Sequence, residues 1–371
     1  MISKVEIGSV IELEDWRNYL YRQENKKFRL PFMCEKVDEY KSVFYQSGRN
    51  AIEELMKYMQ KHMDIKKILI PDFVCKTVTD AVERSGMMYE KYCVDCNFEV
   101  QLEEIQRKIE SGIKSIYIVQ YFGKRNTPEF LSSIAEWKKQ GIIIVEDITM
   151  SLYSKKESEI GIGNYILGSL RKWLPIPDGA FVSTLDQGLP DVLNVTYVSK
   201  YTDYYRLVQA MKREYICGGC VDKELKENYL AYYKKSIDEL FSDYKIYPIS
   251  DFAQNYLSNY NAEVVSQKRI DNYDYLYNKI INITKINVKI KRADGYVPFG
   301  MLIECANRDE LLKFLIDRDI YCNVHWRLDR SENNENVEKL SRSLLTIPCD
   351  QRYSYKEMDY IAQAIRQWSI E

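Results

Sequence analysis

The strongest constraint on the fold is an alternation of short apolar runs with amphipathic segments between residues 50 and 147. Apolar residues follow one another with little interruption in KKILIPDF, SIYIVQYFG and IIIVED. Segments between such runs, for example KTVTDAVERSG and VQLEEIQRKIESG, have apolar residues at helical spacing. Uninterrupted apolar strands are typical of a parallel sheet that helices cover on both faces. The sequence therefore predicts an α/β domain whose central sheet is mostly parallel and flanked by helices.

A different pattern follows in the C-terminal part of the chain. Two further β runs, NYILGSLRK and GAFVST, precede a long helical region at about residues 200–285. From residue 286 the predicted order is strand, strand, helix, strand and helix, which is typical of a smaller α+β domain. We predict an N-terminal arm over residues 1–40, a large domain over residues 41–265 and a small C-terminal domain over residues 266–371.

The helical region is rich in tyrosine, as in YTDYYRLV and YLAYYKK. Aromatic side chains among lysines can bind nucleic acid by stacking on its bases. The formal net charge of -2 and the helical spacing of the rings favour internal packing or a subunit contact instead. We therefore expect no nucleic-acid partner.

The cysteines and the apolar runs indicate the cellular setting. Nine cysteines at uneven spacing, without a signal peptide, are typical of reduced thiols. The pairs Cys93/Cys96 and Cys217/Cys220 lie about 120 residues apart, far beyond the spacing of a compact zinc site. No run approaches the roughly 20 apolar residues of a membrane span. We predict a cytoplasmic protein with no metal and no membrane partner.

Ligands gather outside the carboxyl ends of the strands in open α/β sheets, and three polar motifs are candidates for such a site. In FYQSGRNAIEEL, Ser47, Gly48 and Arg49 open a helix, a place that suits a phosphate group, although a simple helix cap also explains the motif. Asp147 ends the most apolar strand, and a carboxylate there is costly unless it faces a cleft or a cation. Lys172 follows Ser169 by three residues, and Arg171 beside it favours the neutral, nucleophilic amine.

One cofactor explains all three motifs. Pyridoxal phosphate (PLP) needs a site for its phosphate, an acid that keeps its pyridine nitrogen protonated, and a lysine that bonds to its aldehyde. The cofactor itself carries the electrons of the reaction. We therefore predict PLP as the cofactor and Lys172 as the catalytic residue.

The order of the motifs, from SGR through YFG, ED and S-x-x-K to GA over residues 47–180, resembles a fold-type-I PLP enzyme. It is most similar to the DegT/DnrJ/EryC1/StrS family of aminotransferases, which act on nucleotide-linked sugars. Two C-terminal stretches, IYCNVHW and LLTIPCDQRY, look like closing segments of that family. The resemblance implies a homodimer in which the second subunit completes each active site.

The resemblance also implies a role for each matching residue. Lys172 would bind the cofactor and move a proton between the substrate carbon and the cofactor carbon. Asp147 would pair with the pyridinium nitrogen. Arg49 stands where the family usually has a small hydroxyl residue. The phosphate would be held by Ser47, Gly48 and Ser169.

Some positions depart from the family pattern. The aromatic residue that packs on the cofactor ring falls at about Cys75, so that either Phe73 takes this role or the ring lacks an aromatic partner. The expected glutamine falls on Met150, which cannot hydrogen-bond the cofactor's phenolic oxygen. The Asn-Tyr-Arg segment of the family is matched only loosely by residues 246–248.

The leading interpretation is an aminotransferase that moves an amino group from glutamate or a similar donor to a keto sugar, for surface polysaccharide or secondary-metabolite synthesis. The lysine at position 172 disfavours the sugar-dehydratase branch, in which a histidine replaces it. The alternatives are another PLP-dependent reaction on an amino acid, such as aldol cleavage or decarboxylation, and a non-catalytic binding protein on the same scaffold.

Two assignments stay open at the level of sequence. A carboxylate-binding arginine would favour amino-acid chemistry, and Arg49, Arg171 and Arg327 are all candidates. His325 either contacts the substrate or forms a hydrogen bond in the core, while Trp326 beside it is predicted to be a core residue.

Overall fold

The computed structural model describes residues 5–15, 17–20, 40–154, 160–191, 198–328 and 334–371. Part of the predicted N-terminal arm, namely residues 1–4, 16 and 21–39, lies outside these described residues. The strands in chain order are β1 (Ile7–Gly8), β2 (Lys41–Tyr45), β3 (Lys67–Pro71), β4 (Met88–Tyr92), β5 (Ser115–Val119), β6 (Ile143–Asp147), β7 (Tyr165–Ser169), β8 (Ala180–Thr184), β9 (Asn287–Val288), β10 (Met301–Glu304), β11 (Ile320–Tyr321) and β12 (Leu344–Ile347).

The helices pack around these strands, and a short 3-10 turn, Leu170–Lys172, follows β7. In chain order they are α1 (Arg17–Leu20), α2 (Gly48–Met63), α3 (Lys76–Arg84), α4 (Leu102–Glu110), α5 (Pro128–Lys139), α6 (Lys200–Cys217), α7 (Lys223–Ser242), α8 (Asp251–Asn259), α9 (Ala262–Ile280), α10 (Arg308–Ile316), α11 (Glu335–Ser343) and α12 (Tyr355–Ile370).

A seven-stranded sheet, the large sheet, dominates the fold, with strand order β2-β8-β7-β6-β5-β3-β4. β8 pairs antiparallel with both of its neighbours, and all other pairings in this sheet are parallel. This arrangement confirms the predicted mostly parallel α/β sheet. Each strand predicted from the apolar runs between residues 66 and 184 is present in it.

Both faces of the large sheet are buried, as the uninterrupted apolar runs predict. On β3, Ile68 and Ile70 pack in the core beneath α2 and α3, whereas Leu69 between them packs on the opposite face. On β6, Val145 packs in the same core as Ile68 and Ile70, and Ile144 packs in the core on the opposite face. Successive side chains of a strand point to opposite faces, so only a run without polar interruptions can fill two cores at once.

The tyrosine-rich helices contribute side chains to a core of their own. α6 and α7 pack against each other, and Tyr201, Tyr205, Tyr215 and Tyr229 are buried there. These rings pack inside the protein, which is one of the alternatives that the helical spacing favours.

The C-terminal part forms a three-stranded antiparallel sheet, the small sheet, with order β12-β10-β9. β1 pairs in parallel with β11, so the N-terminal segment joins this part of the molecule. The predicted order lacks α11 and β12. α11 has only nine residues with two apolar side chains, Val337 and Leu340, and β12 has only four residues before Pro348, so each is too short to stand out in the sequence.

Two further findings concern the described residues as a group. None of their helices combines the length and the apolar character needed to cross a membrane. No group of three or more His, Cys, Asp or Glu side chains among them is placed to hold a metal ion.

Arg269 on α9 joins the small sheet to the region around Lys172. Its side chain, which is 1% exposed, donates hydrogen bonds to the carbonyls of Phe299 at 2.9 Å and Trp173 at 3.3 Å. The guanidinium also lies 4.4 Å from the centre of the Trp173 ring. Gln351 accepts a hydrogen bond from Arg269 and donates one to the Trp173 carbonyl at 2.7 Å. The backbone next to Lys172 is therefore held from two sides.

We predict that Arg269→Met lowers the free energy of unfolding by roughly 2–4 kcal/mol, because it leaves buried carbonyl groups without their donor. Urea denaturation of the purified protein measures this change. Gln267→Met, an exposed position on the same helix, is the matched control and should change stability by no more than ~0.5 kcal/mol. Equal stability of the two variants would contradict the assignment.

Candidate active site

A cavity of about 270 Å³ lies at the carboxyl edge of the large sheet. It is lined by the first turn of α2, by the segments that follow β3 and β6, and by the turn that follows β7. The C-terminal part of α7 and the segment after β11 also line it. Because β2, β3, β6 and β7 all run in one direction, their carboxyl ends meet here.

The first turn of α2 presents free backbone donors to this cavity. Ser47 caps the helix, and its hydroxyl accepts the N–H of Asn50 at 3.3 Å. The N–H groups of Gly48 and Arg49 have no acceptor among the described residues. Such donors at the start of a 16-residue helix, together with the helix dipole, favour an anion.

Gly48 leaves space in front of these donors. A β-carbon added at this position would approach no atom more closely than the β-carbon of Ser169, at 4.0 Å. Contacts within the chain would therefore also allow a larger residue at position 48. Its absence of a side chain keeps open the gap between the start of α2 and the end of β7, which is the space an anion would fill.

Two arginines lie at the same end of the cavity. Burial, with the nearby charges of Arg84 and Arg171, lowers the pKa of Arg49 to about 10, so Arg49 is still cationic at neutral pH. Arg171 lies 5.7 Å from the ring centre of Tyr201, and its buried Nε has no hydrogen-bond partner among the described residues. We call the group that surrounds this space the anion cradle; it consists of Ser47, Gly48, Arg49, Ser169 and Arg171.

Asp147 lines the cavity at the end of β6 and is fixed by two donors. The Tyr117 hydroxyl donates to one carboxylate oxygen at 2.7 Å, and the Thr149 N–H donates to the other at 2.8 Å. Burial and the charge of Asp147 raise the pKa of Tyr117 well above its usual value, so the phenol remains a donor. A carboxylate held in this way can keep a cationic partner protonated.

Lys172 ends the turn after β7 and lines the same cavity. No hydrogen bond or ion pair joins its amine to another of the residues that the structure describes. Burial lowers the pKa of Lys172 and Arg171 lowers it further, while Cys75 and Asp147 act in the opposite direction. When the pKa of a lysine is lowered, a larger fraction of its side chain is the neutral, nucleophilic amine at neutral pH.

Thr149 connects the Asp147 and Lys172 segments. Its hydroxyl accepts the N–H of Ser169 at 3.2 Å, and its carbonyl accepts the indole N–H of Trp173 at 2.7 Å. These bonds fix the turn that carries Lys172 relative to the loop that begins at Asp147.

The two candidate ring-packing positions of the β3–α3 loop are placed differently. Cys75 lines the cavity, and its sulfur lies 3.0 Å from the Thr77 hydroxyl. Phe73 is fully buried, and it packs among other aromatic rings rather than lining the cavity. Met150 lines the cavity with its apolar side chain.

His325 and Trp326 follow β11 but differ in their surroundings. His325 is buried at 7% exposure, and its ring lies 5.1 Å from Phe122 and 5.8 Å from Phe299. Burial, together with the charge of Lys172, lowers the pKa of His325 to about 3, so its ring is neutral. Trp326 was predicted as a core residue, whereas the structure shows it half-buried and lining the cavity. Arg327 is largely exposed and is not among the cavity-lining residues.

Solved structures share this architecture over most of their length. Helicobacter pylori PseC, an aminotransferase involved in the biosynthesis of pseudoaminic acid, has a TM-score of 0.65 at 14% identity, over 98% of this chain and 99% of PseC. A DegT DnrJ EryC1 StrS aminotransferase from Brucella abortus has a TM-score of 0.60 at 17% identity, over 89% of this chain and 86% of that one. The GDP-4-keto-6-deoxy-D-mannose-3-dehydratase of E. coli, with bound hydrated PLP, has a TM-score of 0.60 at 16% identity, over 87% of each chain.

The chain has the fold of these enzymes. The prediction of a fold-type-I architecture is therefore confirmed. The similarity to PseC covers both the large sheet and the C-terminal part of the chain. No protein-family model matches the sequence. A search of curated proteins gives no match either.

The structure brings most of the predicted site residues to one cavity within this fold. Ser47, Gly48, Arg49, Cys75, Asp147, Ser169 and Lys172 all line it. The lining residues without a predicted cofactor contact include Thr149, Trp326 and Phe241. The position of Thr149, two residues after Asp147 at a strand end, is a signal that could have indicated it. Trp326 and Phe241 come from distant segments whose approach depends on tertiary packing.

We predict that Asp147→Asn lowers the pKa of Lys172 further, because it removes a negative charge that stabilises the ammonium form. The pH dependence of Lys172 acetylation, followed by peptide mass spectrometry, gives this pKa. Its midpoint should be lower in Asp147→Asn than in the unsubstituted protein. The exposed substitution Asp64→Asn is the control, and an unchanged or raised midpoint in Asp147→Asn would contradict the electrostatic assignment.

Proposed function

We propose that this protein is a PLP-dependent aminotransferase. The observation that carries the proposal is the convergence of Lys172, Asp147 and the anion cradle on one cavity. The fold is that of solved aminotransferases, one of them in the PMP form, and of a dehydratase with bound hydrated PLP. When bound, PLP supplies an aldehyde that condenses with amines and a ring that accepts electrons.

The residues present fit this cofactor. The phosphate is matched by the free N–H groups of Gly48 and Arg49 and by the unpartnered Nε of Arg171. The pyridine nitrogen is matched by Asp147, whose carboxylate two donors already hold in place. The aldehyde is matched by the amine of Lys172, which has no other hydrogen-bonding partner among the described residues.

Each of these residues has a distinct chemical task. Asp147 would keep a proton on the pyridine nitrogen, which would strengthen the electron demand of the ring. Lys172 would hold the cofactor through its amine. The same amine would also move a proton between the substrate carbon and the cofactor carbon. The lowered pKa of Lys172 supports this exchange because a general base must be unprotonated in part at the working pH.

The substrates proposed are an amino donor, glutamate or a similar amino acid, and a keto sugar linked to a nucleotide as acceptor. The support is that PseC and the Brucella protein are described as aminotransferases, and PseC is involved in the biosynthesis of pseudoaminic acid. We place the reaction in surface polysaccharide or secondary-metabolite synthesis. We also propose a cytoplasmic location, which the eight free cysteines among the described residues support.

We further propose a homodimer in which the second subunit completes the cavity. An apolar stripe on α7 supports this, because Leu230, Tyr233 and Phe241 are exposed by 45%, 38% and 50% at helical spacing. Ile237 between them and Phe241 both line the cavity. A partner seated on this stripe would therefore approach the site.

The test is the visible absorbance of the purified protein after addition of PLP, compared between the unsubstituted protein and Lys172→Ala. Only the protein with Lys172 should become yellow, and L-glutamate should then bleach it with release of 2-oxoglutarate. Lys66→Ala, at an exposed position, is the control and should behave as the unsubstituted protein. If the protein and Lys172→Ala both stay colourless, the protein is a binding protein on this scaffold. A yellow protein whose absorbance does not change when glutamate or another amino donor is added would indicate a different PLP-dependent reaction.

We predict that Gly48→Ala weakens PLP binding by roughly tenfold or more, because the added methyl group enters the anion cradle. Stability should be unchanged or raised by up to ~1 kcal/mol, since alanine favours helices more than glycine does. Titrations with PLP and with pyridoxal, which has no phosphate, separate the two effects. Pyridoxal should bind Gly48→Ala and the unsubstituted protein equally; an equal loss for both ligands would place the phosphate elsewhere.

A further inference from the structure

An aromatic wall of the cavity comes from the C-terminal part of the chain. Trp326 lies after β11 and lines the cavity together with Cys75, Met150 and Lys172. It is half-buried, so part of its indole is available to a ligand. Such a position suits contact with a flat ring, because an indole offers a large apolar face at little cost in side-chain entropy.

The β3–α3 loop does not supply an equivalent ring. Its cavity-lining residues are Val74 and Cys75, neither of which is aromatic, and Phe73 is fully buried. The Phe73 ring instead lies 5.1 Å from the ring of Trp326, at an angle of 54°. Phe73 therefore packs against the Trp326 ring without lining the cavity itself.

Further contacts fix the Trp326 segment. Its ring centre lies 6.3 Å from that of Phe122 and 5.8 Å from that of His325. The Trp326 carbonyl accepts the Ser341 hydroxyl at 2.7 Å, and the same hydroxyl accepts the N–H of Leu328 at 3.1 Å. The backbone at Trp326 is thus held by α11 and its indole by neighbouring rings, which limits the entropy lost when a ligand packs on it.

Phe241, another aromatic residue that lines the cavity, lies at the other end. Its ring centre is 4.5 Å from the guanidinium of Arg49, a member of the anion cradle. Phe241 therefore sits beside the proposed phosphate site. Trp326 instead packs on Phe73 and Phe122, in the core on the opposite face of the large sheet from α2.

We propose that Trp326 supplies the aromatic surface on which the cofactor ring packs, in place of a residue from the β3–α3 loop. This inference rests on the proposed function. Its consequence is that the C-terminal part of the chain contacts the cofactor directly. Cofactor affinity then depends on the placement of the small sheet, as well as on the large sheet that carries Lys172.

The experiment measures PLP binding by absorbance titration and by the visible circular dichroism that the bound chromophore acquires. Trp326→Leu should weaken binding by roughly 3- to 10-fold and reduce the dichroism, because an aromatic contact is lost. Trp326→Phe keeps a ring and should restore most of both signals. Trp137→Phe, a buried residue whose indole N–H bonds to Gln106 at 2.8 Å, is the matched control and should change neither.

A second readout uses only the conservative variants and so does not depend on the folding of Trp326→Leu. Bound PLP should quench tryptophan emission, and the quenched amplitude should be smaller in Trp326→Phe than in Trp137→Phe. Equal affinity and equal dichroism of Trp326→Leu and the unsubstituted protein, or equal quenching in the two phenylalanine variants, would overturn the assignment of Trp326. An unsubstituted protein that binds no PLP would instead overturn the proposed function, and the Trp326 assignment with it.

Discussion

The parallel pairing of β6 with β7 determines where this protein can carry out chemistry. In that pairing Val145 lies opposite Tyr165 and Asp147 lies opposite Leu167, so both strands reach the same edge of the sheet. Asp147 ends one strand and Lys172 follows the other within one short turn. Thr149 then joins the two segments by hydrogen bonds to Ser169 and Trp173. An acid and an amine far apart in sequence are thereby held in one cavity without a direct ion pair.

The charges of the cavity suit a phosphorylated, cationic ring. The described lining residues include two cationic arginines, Arg49 and Arg171, and the partly neutral amine of Lys172, against one carboxylate, Asp147. Burying such an excess is costly unless an anion compensates it. The free donors of the anion cradle lie beside both arginines, so a phosphate there would offset the cost. The carboxylate at the other end would hold the protonated ring nitrogen, which makes the two ends of the cavity complementary to the two ends of PLP.

The sequence indicates the large sheet and the centre of the site, because both depend on local patterns. Uninterrupted apolar runs identify β3, β5 and β6, and polar residues directly after a strand lie at the ligand-binding edge in this type of sheet. Asp147 and Lys172 could be identified for this reason. β2 was not predicted, since its five residues, KSVFY, begin with polar side chains at a sheet edge. The cavity walls formed by Trp326 and Phe241 could not be predicted either. Their positions depend on how α7 and the C-terminal segments pack, and no local pattern encodes that packing.

The central claim is that Lys172 is the residue that bonds to PLP, and chemical trapping tests it most directly. The protein is incubated with PLP and reduced with sodium borohydride, which converts a carbon–nitrogen double bond into a stable amine. Peptide mass spectrometry then locates the added phosphopyridoxyl group. The account predicts close to one group per chain, on Lys172, with loss of the label when excess inorganic phosphate competes for the anion cradle. A label spread over exposed lysines, or its absence from Lys172, would contradict the account.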